Sequence, residues 1–148
     1  MTAVFSAAFL TPSMAAGPLF ATRDEAEAAL FVLEAFLDDD ADVEKLRSLY
    51  ADSVQYFDMG HLERSKVIAL KKDFISRWSR KFYFPDLSTL LVKRDGERSF
   101  AVEVEVDFKL ESVATDLEGR SLVDVTLARQ GRNFLIIREA GKTILQKE

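Results

Sequence analysis

Between Phe100 and Leu110 apolar and polar residues alternate without a break. Phe100, Val102, Val104, Val106, Phe108 and Leu110 occupy one side, with Ala101, Glu103, Glu105, Asp107 and Lys109 between them. A period of two over this length predicts a long, half-buried strand. The runs DGER before it and DLEGR after it carry turn chemistry. Leu122 to Arg129 predicts the next strand, residues 130–133 a turn, Phe134 to Glu139 another strand, and Thr143 to Leu145 a last short apolar run.

The first half of the chain has the helical period instead. Thr22-Arg23-Asp24-Glu25 forms a capping box, with Thr22 as N-cap and Glu25 reaching back to it. Ala26, Leu30, Leu33 and Leu37 follow at helical spacing, with Phe36 alongside. Asp38, Asp39 and Asp40 end this helix, because carboxylates at a helix C-terminus oppose its dipole. Asp42 caps a short second helix whose apolar side is Val43, Leu46, Leu49 and Tyr50. Ser53 to Phe57 predicts a short strand, and Asp58-Met59-Gly60 a turn in which Gly60 takes positive φ. Ser65 is the expected cap of a third helix, with Val67, Leu70, Phe74 and Trp78 as its buried stripe, widened by Ile68 and Ile75. Lys66, Lys71, Lys72, Asp73 and Arg77 are expected mostly on its other side.

Helices first and a meander of strands after them make an α+β layout. The predicted architecture is three helices from the N-terminal half packed on a strongly curved antiparallel sheet. A sheet curled round helices leaves a cone with a cavity at its open end. No repeat and no linker interrupts residues 20–148, which read as a single domain.

The segment before this domain is different. Ala3 to Leu10 is an apolar run, Thr11-Pro12 breaks it, and Ser13-Met14-Ala15 supplies small residues at cleavage spacing. Residues 1–16 are therefore a candidate signal peptide, too short to span a membrane. The first basic residue is Arg23, so the positive stretch that opens such signals is missing; an apolar N-terminal arm is the other reading. The expected location is periplasmic or secreted if the segment is a signal, and cytoplasmic otherwise.

Composition narrows the function classes. A net charge of −5 opposes nucleic-acid binding, which needs a basic face. The cluster Arg77, Arg80 and Lys81 reads as a solvated helix end. Without cysteine and with a single histidine, the chain offers neither thiol catalysis nor a His- or Cys-built metal site; carboxylates alone could still hold a hard cation, but no EF-hand loop pattern is present, and neither metal nor cofactor is expected. Twelve phenylalanines imply a ring-rich core or pocket. Tyr56, Phe74, Trp78 and Tyr83 are the expected pocket lining. Glu103, Glu105 and Asp107 read as the solvent face of their strand, opposite basic residues such as Arg129 or Lys93. His61 could act as a base near neutral pH, paired with Asp58; both also suit a surface turn.

The order of elements, from Thr22 onward, resembles the nuclear transport factor 2-like (NTF2-like) superfamily, which includes ketosteroid isomerase and SnoaL-type cyclases. Tyr50-Ala51-Asp52, Tyr56-Phe57, Gly60, Arg77-Trp78 and Tyr83 resemble a pattern in a bacterial branch of it, with Ser79 where that pattern has proline. The resemblance implies a cone fold that hosts enzymes, ligand binders and interaction modules alike. The leading expectation is a non-catalytic module, exported, binding a small apolar molecule or a protein partner, without membrane insertion. The alternative is a SnoaL/ketosteroid-isomerase-like enzyme with Asp58 or His61 as base and Tyr56 or Tyr83 as donor. Sheets of this superfamily commonly pair through their outer faces, which implies a homodimer. The expected patch joins Leu122, Thr126 and Ala128 with Asp124, and Leu135 and Ile137 with Glu139.

Overall fold

The computed structural model describes residue 20 and residues 22–147. The candidate signal segment, residues 1–16, lies outside the described residues. Helix α1, Arg23–Leu30, opens on the predicted capping box: Thr22 Oγ1 accepts from Glu25 N, and Glu25 Oε1 accepts from Thr22 N. It continues as a π-helical stretch, Phe31–Phe36. The wider turn places Val32 and Leu37 on one line, joined by Leu37 N donating to Val32 O at 3.0 Å. The buried face is therefore Ala28, Ala29, Val32 and Leu37, while Leu30, expected on the stripe, is 50% exposed. Two alanines let the helix axis lie close to the sheet, and the larger leucine is turned out.

Helix α2 is Val43–Arg47, capped by Asp42 accepting from Lys45 N. Strand β1, Tyr50–Tyr56, and strand β2, His61–Glu63, form a hairpin whose turn holds Gly60 at φ +78°. Helix α3 is Arg64–Arg77. Its N-cap is Glu63, without a side-chain bond, so Ser65 is a first-turn residue and not the cap. Strand β2 runs straight into the helix and leaves no loop for a capping serine.

Four long strands complete the chain: β3 Arg80–Arg94, β4 Ser99–Glu111, β5 Asp116–Gln130 and β6 Asn133–Lys147. DLEGR belongs to β5 and is not a turn; the reversal occurs before it, where Ser112 N donates to Thr115 O. Gly119 is required inside the strand: a Cβ there would lie 2.2 Å from Leu145 O and 2.7 Å from the Phe108 ring. The sheet order is β2-β1-β6-β5-β4-β3. Neighbours are antiparallel except β1 and β6, which run parallel, so the curved sheet is mixed and open at both edges.

The core lies between helices and sheet, on Phe100, Val102, Val104 and Val106 of β4, Val125 and Leu127 of β5, and Ile136 of β6. On the outer face Arg120 binds Glu105 at 2.7 Å, Asp107 at 3.1 Å and Asp86 at 2.7 Å. These acids do face outward, but their counter-ion is Arg120. Arg129 instead reaches Glu27 of α1 at 2.7 Å. No helix among the described residues is long and apolar enough to cross a membrane.

Candidate ligand site

Two departures from simple periodicity build the site. The first is in α3. Val67 and Ile68 are its buried residues, and Leu70 is 41% exposed. The inward line runs Val67, Lys71, Ile75, at i, i+4 spacing, so Lys71 faces the sheet instead of solvent. The second is in β6. Leu127 of β5 pairs with Ile136, but Thr126 pairs with Arg138, which leaves Ile137 as an extra residue. A β-bulge of this kind reverses which residues face inward beyond it. Glu139 therefore joins the face of Phe134 and Ile136 and is 5% exposed. The outer-face patch expected to contain Glu139 loses it, and Thr126, also expected there, is only 4% exposed.

Lys71 Nζ donates to Glu139 Oε2 at 2.7 Å, and Tyr50 Oη donates to Glu139 Oε1 at 2.5 Å. The ammonium also lies 5.4 Å from the Phe36 ring centre and 5.7 Å from that of Tyr56. Tyr56 is the register partner of Glu139. The next residue, Phe57, has φ +52°, a left-handed conformation that is costly for an aromatic residue. That geometry directs Phe57 N to donate to Glu139 O at 2.7 Å, which fixes the end of β1 to β6 beside the ion pair. Tyr83 enters from β3, its N–H held by Asp39 Oδ1 at 2.9 Å.

A cavity of about 330 Å³ opens over this cluster. Phe36, Leu46, Phe74, Ile75 and Val123 supply its apolar walls, and Tyr56, Lys71, Lys81 and Tyr83 polar ones. A wider depression of about 1110 Å³ lies between α1 and the β5–β6 turn. Its central charges are already matched, Arg129 with Glu27, so it has less to offer a ligand.

Of the expected pocket residues, Tyr56, Phe74 and Tyr83 line the cavity. Trp78 is buried at the C-cap of α3, one turn beyond Phe74, and is not among the lining residues. Asp58 and His61 are exposed, and neither lines the cavity. His61 pairs through its backbone position with Gln55 on the hairpin. The missed residues are Lys71, Glu139 and Tyr50. Lys71 carried a signal, since it stands four residues after the buried Val67. Glu139 carried none, because the bulge that turns it inward is not written in the alternation.

Burial raises the Tyr50 hydroxyl well above its ordinary value, with the Glu139 charge adding to the effect and Lys71 opposing it. Burial raises Tyr56 in the same way. Tyr83 is pushed up to about 12, by burial first and then by Asp39 and Glu139, against Lys71. Burial works to lower Lys71, but the Glu139 carboxylate outweighs it, and with the tyrosines holds the ammonium well above its usual value. Lys71 is thus a permanent donor and not a base. Glu139 accepts from Lys71 at one oxygen and from Tyr50 at the other, so both of its oxygens are engaged.

The chain has three tyrosines, Tyr50, Tyr56 and Tyr83, and all lie here. Their folded values exceed the unfolded one of 10.0. The stability they confer is therefore complete below pH 10.0 and is lost as pH rises toward about 12, the value for Tyr83. Tyrosinate absorbance of the native protein is expected to show no step near the ordinary value, with ionisation arriving together with unfolding. A tyrosine titrating normally in the folded state would contradict the geometry.

No protein-family model matches the sequence, and no curated protein matches it. Solved structures do. The chain is similar to Kfla4162 protein from Kribbella flavida, with TM-score 0.70 and 11% identity, covering 84% of this chain and 93% of that one. It is similar to an NTF2-like superfamily protein from Salmonella enterica serovar Typhimurium, with TM-score 0.67 and 12% identity over 81% and 90% of the two chains. It is also similar to the hexachlorocyclohexane dehydrochlorinase LinA type 2, with TM-score 0.59 and 9% identity over 84% of each chain. The fold is the NTF2-like, cystatin-like α+β fold.

Proposed function

We propose that the chain is a non-catalytic module that binds a small, largely apolar molecule in the cavity over Lys71. The observation that carries this reading is the double engagement of Glu139: the buried carboxylate accepts from Lys71 at 2.7 Å and from Tyr50 at 2.5 Å. With one hydrogen bond on each oxygen, this carboxylate is engaged in orienting two donors. The cavity is near the lower limit of small-molecule pockets and is walled by rings and aliphatic side chains. The neutral fluorophore phenylnaphthylamine is expected to bind once per chain, with Kd on the order of micromolar. Ala41 lies on the wall and is 4% exposed. Ala41→Phe fills the space and is expected to abolish binding while the far-ultraviolet dichroism is retained. Unchanged binding in that variant would place the probe elsewhere.

A second reading is acid–base catalysis on a small substrate, favoured by the likeness in fold to a dehydrochlorinase. Asp58 or His61 would then be the base and Tyr56 or Tyr83 the donor. The exposure of Asp58 and His61 weighs against it. Turnover that is lost in Asp58→Asn or His61→Gln would favour it.

Export and a homodimer are parts of the same proposal. They rest on the apolar run Ala3 to Leu10 and on exposed Phe84 and Leu91 of β3. Mass spectrometry of the protein from its host tests the first, through an N-terminus still at Met1. Light scattering tests the second, through a mass remaining at 16.7 kDa.

A further inference from the structure

The polar part of the cavity wall is rich in donors. Lys71 has three ammonium protons, and Glu139 accepts one of them. The hydroxyl of Tyr83 has no hydrogen-bond partner among the described residues, and that of Tyr56 adjoins Lys71. Among the described residues Asp38 is the one carboxylate on the wall, and both its oxygens are engaged, one by Asp40 N at 2.9 Å and the other by Lys45 Nζ. A ligand that reaches Lys71 must therefore bring an acceptor.

Charge decides which acceptor. The charge of Lys71 is cancelled by Glu139 at 2.7 Å. A second carboxylate on the same ammonium would face Glu139 across it, in a setting where like charges are poorly screened. The mouth is no kinder to an anion. Lys81 contributes a positive charge there, but Asp38, Asp39 and Asp40 lie on the adjoining loop. A neutral carbonyl oxygen has the lone pairs that the donors need and brings no charge. We propose that the cavity selects a neutral carbonyl compound with a small apolar body, such as a ketone, over both the matching carboxylate and the matching hydrocarbon. Lys71, with Tyr56 and Tyr83, binds the oxygen. Phe36, Leu46, Phe74, Ile75 and Val123 hold the body. Glu139 keeps the donor set electrically neutral.

This inference rests on the ligand-binding reading, and competition against bound phenylnaphthylamine separates the two. The probes are benzylacetone, hydrocinnamate and butylbenzene, which share a body and differ at the head. Benzylacetone is expected to compete at least about tenfold more strongly than either of the others, the effect of a hydrogen bond to a charged donor. Tyr83→Phe is expected to reduce that advantage over butylbenzene. Glu139→Gln keeps the shape and leaves Lys71 unmatched, so its preference is expected to move to hydrocinnamate. The proposal is overturned if hydrocinnamate or butylbenzene competes as well as benzylacetone in the unaltered protein, or if none of the three competes. In those cases phenylnaphthylamine binding, lost in Ala41→Phe, still upholds the pocket itself. Should Glu139→Gln fail to fold, the ratios in the unaltered protein and in Tyr83→Phe decide the matter.

Discussion

Lys71→Met is expected to reduce the stability of the folded state by about 3–5 kcal/mol, the cost of leaving one partner of a buried ion pair alone. The side chains of Lys71 and Glu139 are 18% and 6% exposed, so water screens them little. In the variant the Glu139 carboxylate keeps only the Tyr50 hydroxyl. Adding Glu139→Gln to Lys71→Met removes the stranded charge and restores much of the stability. Urea denaturation of the two single variants and the double variant measures the coupling. A cost below about 1 kcal/mol for Lys71→Met would mean that the pair behaves as a surface salt bridge.

Phe100→Ala is expected to cost a similar amount, about 3–5 kcal/mol, as large-to-small aromatic changes in cores do. Phe100 is 1% exposed. Its ring meets Phe134 edge-on at 6.0 Å, Phe134 tilts against Phe31 at 5.8 Å, and the Arg94 guanidinium lies 4.8 Å over the Phe100 ring. Truncation empties the contact between α1 and the sheet. The same denaturation measurement applies, and a loss within about 1 kcal/mol would show that the neighbouring rings refill the space.

Phe100 also illustrates what the sequence makes legible. Residues 100–106 alternate in burial as they alternate in polarity, because an antiparallel strand with one covered face has no other stable register. The capping box at Thr22 is equally local and is found as written. The site was less legible, since it depends on features that periodicity does not carry. The extra residue at Ile137 turns Glu139 inward, and nothing in the alternation of Phe134 to Glu139 announces it. The π-helical turn at Phe31–Phe36 moves the buried line of the first helix from Leu30 to Ala29 and Val32. Lys71 was hidden for another reason. A lysine between apolar residues reads as the solvent side, and its burial makes sense only once the Glu139 carboxylate stands opposite. Tyr56 and Tyr83 were singled out because aromatic side chains with polar ends suit a pocket wall, and both line the cavity.

The central claim is that small molecules bind over Lys71. The three tyrosines surround that point and occur nowhere else in the chain, so their ring signals report on it alone. In protein labelled only at tyrosine, phenylnaphthylamine is expected to shift the ring resonances of Tyr56 and Tyr83, which line the cavity, more than that of Tyr50, which stands behind Glu139. A saturating titration that leaves the Tyr56 and Tyr83 rings unmoved would contradict the account.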